Sequence, residues 1–511
     1  MSVDSKVISN TWWNALNTLG GLLFGLITSI ALARMLGPTL IGQFHYWIWL
    51  SGLLILVSSP GLGQAMTKFG AELLGKQDRQ TASALFAWLL FAELALGGLV
   101  GGATLLFAWA PWASAPPSDP VALILIAITV VPGVLERLFL AAAKGTQEFR
   151  SLSQSSLIGN LFYAFCAITV ASLGLGVHAL LLSILARRIV TLALIGRKLP
   201  SHYTMQRAPA ISLPPELSRR LLLYCRDVSL ILVIDTILYE RSELFFLSRY
   251  ADDAQIAYYS QSFDLAMKAM SIPAIFSGVL LPAFSSLAGQ GYGGGLSERF
   301  NSLHTSSYRV LALIAMPIGL GAAAITPAFV LLYGPDFLPM APVLSILLVG
   351  NIVGALASVS ATVLHSADKQ SFIVRLGFVA VVLNIGLDIV LIPTYGAVGA
   401  AVANSASQLV SGVVGISYSV RRLNLTFPLR SVARIALAAL SAAAVAGLIS
   451  SWLGGLVLAI AAGILVYPVM LRAFAALDTG DRALLRQMHA YLPKQLEPTY
   501  QSLVDFLVPR P

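Results

Sequence analysis

The chain has 511 residues, 57% of them hydrophobic and 11% charged, with a net charge of +9. A soluble domain carries roughly 25% charged residues, so a soluble enzyme or a nucleic-acid-binding domain is excluded as the body of the protein. The longest polar stretches, 197–220 and 475–511, are too short to bury a core of their own, which leaves an all-α polytopic membrane protein.

Apolar runs of about 20 residues, the length that spans a bilayer's hydrocarbon, recur along the whole chain. Fourteen spans are predicted: 12–33, 43–66, 82–110, 120–143, 154–173, 177–196, 222–247, 256–287, 308–327, 341–364, 372–393, 397–420, 431–451 and 454–474. The first ends in the small residues ALA at 31–33, which could be read as a signal-peptide cleavage site. Its 19 apolar residues are long for a signal peptide and Asp4 offsets Lys6, so it is read as a span. Cys166 and Cys225 lie inside predicted spans and suggest neither a disulfide framework nor a metal site.

With both termini in the cytoplasm, 26 of the 32 basic residues fall in cytoplasmic segments or the helix ends beside them, Arg187 and Arg188 counted among them. Cytoplasmic loops of membrane proteins carry such an excess. The basic charge is thus an orientation signal, and no nucleic-acid partner is expected. The outer connections, WAPWASAPPSDP (109–120) and YGPDFLPMAP (333–342), are short and proline-rich. The glycine-rich GQGYGGG (289–295) lacks a following Lys-Ser/Thr and a preceding strand, so it reads as a flexible cytoplasmic hinge and not as a phosphate loop.

The chain also repeats itself. LARMLGPTLIGQF (32–44) aligns with LSRYADDAQIAYY (247–259), placing Arg34 over Arg249 at an offset of 215, and two weaker matches follow at offsets of 222 and 221. Six spans per half give a parallel repeat about an axis along the membrane normal, with a site expected between halves. The predicted organisation is an N-terminal six-helix lobe (1–196), a cytoplasmic linker (197–221), a second six-helix lobe (222–420), two further helices (421–474) and a cytoplasmic tail (475–511).

A charge at mid-bilayer costs at least about 2.5–3.5 kcal/mol and marks a functional candidate. Arg137, Arg226, Arg241 and Lys268 are candidate cations for an anionic substrate, with Asn404 and Gln408, which share a helix face, as amides for sugar hydroxyls or for helix-to-helix bonding. Glu93, Asp235 and Asp388 have no opposite charge at helical spacing and are the candidate coupling carboxylates, for a proton or sodium ion. Glu136 and Arg137 are sequence neighbours, which do not face each other on a helix, so each needs a partner elsewhere. Arg34 and Arg249 lie on the sparsely charged outer side and are read as rim or gate residues. No nucleophile–base pair, HExxH or CxxC motif occurs and the six histidines are scattered, so catalytic residues, bound metal and cofactors are not expected.

The run LARMLGPTLIGQF resembles the A-R-x-L-G-P-x-x-(F/I)-G signature of the polysaccharide-transport (Wzx-like) lipid-linked oligosaccharide flippases. PGLGQAMTKFGAE (60–72), QIAYYSQSFDLA (255–266), YGPDF (333–337) and PTYGAVGAAVAN (393–404) fit the same pattern. The resemblance covers nearly the whole chain. It is specific for the superfamily of multidrug, oligosaccharidyl-lipid and polysaccharide exporters, not for a particular sugar. It implies two six-helix lobes around a cavity open to one side at a time, in a bacterial inner membrane. The implied substrate is an undecaprenyl-diphosphate-linked oligosaccharide, moved to the periplasmic leaflet for exopolysaccharide, capsule or O-antigen synthesis. Implied partners are membrane lipid and the polymerase and export proteins of that synthesis. Related lipid II flippases carry an Arg-Asp pair in the first span where Thr28-Ser29 stands here, which argues against lipid II as substrate. The alternatives are a cation-coupled drug or metabolite antiporter on the same fold, or a membrane polymerase, for which the large outer loop is missing.

Overall fold

The computed structural model describes residues 3–109, 119–198, 203, 213–239, 242–278, 280–289, 296–453, 455–477 and 497–507. Among these every regular element is helical. Ten helices are long and apolar enough to cross a membrane, or eleven if one bent pair counts as a single span. Fourteen spans were expected, and two helices account for part of the difference. Helix α1 (Val3–Ser58) holds the first expected span and most of the second in one run of 56 residues, and a later helix, Gln370–Arg422, holds two more in 53. Each is broken at one glycine: Gly37 has φ 73° and is followed by Pro38, and Gly396 has φ 54° three residues after Pro393. Glycine accepts a positive φ without the Cβ penalty that other residues pay, and proline removes a helical N–H and crowds the preceding turn.

Two compact units divide the chain, 1–257 and 258–511. The first continues through α2 (Leu62–Gly75), α3 (Arg79–Ala108), α4 (Pro120–Gly145), α5 (Phe149–Ser172), α6 (Gly176–Gly196), α7 (Pro215–Tyr239) and α8 (Glu243–Tyr250). Two aspartates begin helices here by accepting backbone N–H groups that a first turn leaves unpaired. Asp78 accepts from Thr81 N at 3.0 Å. Asp119 accepts from Ala122 N at 3.0 Å, and its other oxygen meets His178 Nε2 at 2.7 Å, tying the start of α4 to the start of α6. The core gathers Ala65, Met66, Phe69, Leu85, Leu89, Leu138 and Ala142, all at most 2% exposed.

Helix α7 begins within the expected linker (197–221) and packs on α2 within this unit. Gly61 lies against the Cys225 backbone, and Phe69 meets Tyr224 edge-on at 5.4 Å. Glu72 accepts from Lys76 Nζ at 2.8 Å and from Arg220 Nη2 at 3.1 Å. These bonds, Lys76 first, pull its carboxyl from the ordinary 4.5 to about 2. A depressed folded-state pKa stabilises the fold above pH 4.5, and that contribution is lost as pH falls toward 2. Arg220→Gln is expected to raise the Glu72 midpoint toward 4.5, read by carboxyl NMR; an unmoved midpoint removes the α2–α7 clamp.

The second unit takes in most of α9 (Asp253–Ala269), then α10 (Ser271–Gly278), α11 (Leu280–Gly289), α12 (Leu296–Ala324), α13 (Thr326–Val330), α14 (Met340–Ser366) and α15 (Gln370–Arg422). It ends with α16 (Leu429–Leu453), α17 (Leu456–Ala473) and α18 (Glu497–Leu507). Its core lies between α12, α14 and α16, with Leu311, Ala312, Ala315, Val359, Val363, Ile435, Ala438 and Ala439 fully buried. Helices α16 and α17, the expected additions to the repeat, dock on α12: Gly447 lies against Ala324, and Tyr467 donates to Leu313 O at 3.1 Å. The glycine-rich hinge expected at 289–295 lies almost wholly outside the described residues.

Candidate functional site

The two copies of the repeated motif meet within the first unit. The break at Gly37 lets the chain resume as a helix whose second turn carries Gly42 and Gln43. Gln43 Nε2 donates to Asp253 Oδ2 at 2.8 Å, and Tyr46 is hydrogen-bonded to Ser248. An ideal Cβ built on Gly42 would lie 1.6 Å from Asp253 O, so only glycine allows this approach. Arg34 and Arg249 are both exposed, the first three residues before Gly37 and the second in the last turn of α8, four residues before Asp253.

Glu93, the fifteenth of 30 residues in α3, is fully buried. Its Oε1 accepts from Ser59 at 2.6 Å, at the bend between α1 and α2, and its Oε2 has no hydrogen-bond partner. Arg137 is exposed on α4 and lies within electrostatic reach of Glu93. Glu136 turns the other way and is buried, as the sequence argument required, and it finds partners on α6. Arg187 Nη1 donates to its Oε1 at 3.1 Å and Arg188 Nη1 to its Oε2 at 3.3 Å.

This pair corrects the sequence reading. Arg187 is the twelfth of 21 residues in α6, so both arginines lie in the interior of a span and leave the cytoplasmic count of 26. The apolar run IVTLALIG that follows them was the available signal. Arg226, a candidate substrate cation, donates through Nη2 to its sequence neighbour Asp227 Oδ1 at 2.8 Å, both side chains being more than half exposed. An arginine is long enough to curl back over an open surface, which a buried Glu136–Arg137 pair cannot do.

In the second unit Asp388 is fully buried and accepts from Asn384 Nδ2 at 2.9 Å, one turn away on α15. Gln408 Nε2 donates to Asn404 Oδ1 at 2.7 Å. Gly354 of α14 comes so close that an added Cβ would lie 2.8 Å from Gln408 Oε1, so this amide pair sits at the α14–α15 packing. Lys268 and Asp264 are half-buried on α9. Asp235 falls in α7, but its side chain, like the whole of Arg241, lies outside the described residues. Also missed by the sequence reading is a hydroxyl chain joining three helices. Tyr308 bonds Ser360, Ser360 bonds Ser419 at 3.1 Å, and the His304 ring stacks edge-on against Tyr308. Among the described residues no group of three or more His, Cys, Asp or Glu could hold a metal ion.

The arrangement offers buried carboxylates that can change charge, and a guanidinium cluster that can hold an anion, inside a helical bundle. Solved structures with the same fold include the lipid II flippase MurJ in an inward closed conformation, at TM-score 0.69, 16% identity, 91% of this chain and 98% of that one. A multidrug resistance MATE family transporter in an inward-facing conformation follows at TM-score 0.63, 17% identity, 79% and 94%. Among curated proteins, a membrane protein of the cps region of Klebsiella pneumoniae is 24% identical over 426 residues, 81% of this chain and 82% of that one. The probable low-salt glycan biosynthesis flippase Agl15 of Haloferax volcanii is 21% identical over 396 residues, 76% and 78%. The lipid II flippase MurJ family matches residues 244–468, and the polysaccharide biosynthesis protein family matches 31–342. The chain therefore belongs to the polysaccharide biosynthesis protein family, as the Wzx-like motifs of its repeated half-signature imply.

Proposed function

We propose that this multi-pass membrane protein is a flippase for lipid-linked glycans. In our reading it moves an undecaprenyl-diphosphate-linked oligosaccharide from the cytoplasmic to the periplasmic leaflet of a bacterial inner membrane. It serves exopolysaccharide, capsule or O-antigen synthesis beside the polymerase and export proteins. The observation that carries this reading is the cluster of arginines around Glu136, an excess of positive charge placed in the interior of α4 and α6. A diphosphate bearing sugars would shed many hydrogen bonds to water on entering hydrocarbon, and such a cluster replaces some of them. The likeness to flippase and glycan-synthesis relatives supports the same class. Depletion of the protein is the direct test. Undecaprenyl-linked sugars are expected to accumulate in the cytoplasmic leaflet, and an unchanged distribution across the membrane overturns the reading.

Alternating access is the mode this reading implies, and the Gly42–Asp253 contact supplies a closed end for it. Coupling to a proton is assigned to Glu93 and Asp388, both fully buried and each hydrogen-bonded to a neutral side chain, Ser59 and Asn384. A carboxylate so placed exchanges its proton only when the surrounding helices let water in. Glu93→Gln and Asp388→Asn are expected to lower transport by about tenfold or more while expression stays within about twofold; each fixes the neutral state, so a tenfold loss corresponds to about 1.4 kcal/mol of coupling. Wild-type transport by both variants removes the proton relay.

A further inference from the structure

Arg187 and Arg188 follow one another on α6, where successive side chains diverge, and converge on one carboxylate only because Glu136 of α4 reaches between them. The second Arg187 bond, Nη2 to Oε2, is long at 3.5 Å. One negative charge against two positive ones leaves a cation over. Arg188 Nε has no hydrogen-bond partner, and Arg137 brings a third guanidinium within electrostatic reach of Arg188. With Glu93 also ionised, three cations face two anions.

The depth makes this surplus expensive. Glu136 and Arg187 each lie nine residues before the ends of their helices at Gly145 and Gly196, about 14 Å at 1.5 Å per residue. Charges at such depth are kept almost always where they face a bundle interior or a water-filled cavity. Exposure gives the cluster an open and a closed side. The Glu136 side chain is 6% exposed and that of Arg188 14%, whereas Arg187 keeps 24% uncovered and Arg137 is exposed. The anion is sealed in and Arg188 nearly so, while Arg187 and Arg137 keep uncovered surface. A guanidinium presents a planar fork of donors that matches the oxygens of a phosphate.

We propose that Arg187 and Arg188 form a subsite for a diphosphate, with Arg137 adding positive charge nearby, and that Glu136 is its built-in placeholder, holding the two arginines together until the diphosphate takes over the donors it now occupies. This rests on the flippase reading above, which supplies a lipid-linked diphosphate as the ligand. Placeholder and ligand compete for the same donors, so removing the carboxylate charge and removing a guanidinium have opposite effects on affinity.

The test is equilibrium binding by the full chain in phosphatidylcholine nanodiscs, with undecaprenyl diphosphate, inorganic pyrophosphate and the neutral undecaprenol measured in parallel. Wild type is expected to prefer undecaprenyl diphosphate to undecaprenol. Arg187→Gln should weaken diphosphate binding at least about tenfold, one charge-assisted hydrogen bond's worth, and Glu136→Gln should tighten it several-fold. The double variant Glu136→Gln/Arg188→Gln removes one charge of each sign. It tests the same point if the single variant does not fold: its affinity should stay at or above that of Arg188→Gln alone. If all variants bind the diphosphate as wild type does, the subsite is overturned, and the flippase reading then rests on its family and glycan-synthesis relatives alone. If wild type binds undecaprenyl diphosphate no better than undecaprenol, the flippase reading fails and the lipid-linked subsite with it. If inorganic pyrophosphate binds as tightly as the lipid, with the same dependence on Arg187, the cluster serves a free anion and the lipid-linked ligand is excluded.

Discussion

Replacing Glu136 by leucine destabilises the first unit by about 3–5 kcal/mol, the cost of leaving buried charge without its partner. The volume change is small, so the effect is electrostatic: Arg187 and Arg188, only 24% and 14% exposed, lose the carboxylate they share. Adding Arg188→Met to the same chain should return part of that loss, because a hydrophobic side chain of similar length asks for no counterion. Thermal unfolding in nanodiscs measures both. A loss under about 1 kcal/mol for the leucine variant, the size expected of a solvated surface pair, shows that the cluster is already hydrated and removes the argument from burial.

Gly42→Ala is expected to be the second severe change. The added Cβ would fall 1.6 Å from Asp253 O, a backbone atom that cannot rotate away, so the two motif copies must part. Overpacking of this kind costs typically 1–3 kcal/mol, and here it also breaks the Gln43–Asp253 bond at 2.8 Å. Gly21→Ala, on the same helix with nothing within 4 Å, is the matched control and should be neutral or slightly stabilising. A disulfide between Gln43→Cys and Asp253→Cys reads the geometry directly. It should form readily in the parent and in the Gly21→Ala background and fall severalfold with Gly42→Ala. Equal cross-linking in both backgrounds shows that the motifs do not close through this glycine, and the gate assigned to them is lost.

The helical membrane class was legible because apolar runs of bilayer length leave no other reading. The separation expected between the first and second spans, and between the eleventh and twelfth, falls where the backbone leaves helical geometry, at Gly37 and Gly396. The repeat read from the sequence pointed to Arg34 and Arg249, whereas the contact itself is made by Gly42, Gln43 and Asp253. Gly42 and Gln43 carry no charge to warn of their role, and Asp253 meets Gly42 through its backbone oxygen. The buried partner of Glu136 was required by the argument that neighbours on a helix diverge, but which helix would supply it is tertiary information. Arg187 and Arg188 were counted with the cytoplasmic segments and helix ends; the eight residues after them, IVTLALIG, argue for depth instead. The hydroxyl chain through Tyr308, Ser360 and Ser419 had no sequence signal, since serines in spans usually satisfy themselves on their own helix.

The break at Gly396 has a mechanical consequence. On either side of it α15 continues as an arm of 26 residues, Gln370 to Tyr395 and Ala397 to Arg422, each about 39 Å long at 1.5 Å per residue. An arm of that length is a lever. Turning one through about 10° at its root carries the far tip by about 7 Å, more than one helical pitch. A backbone adjustment confined to one glycine thus suffices to shift a membrane-spanning rod by the width of a sugar ring, with no change in the hydrogen bonding of either arm.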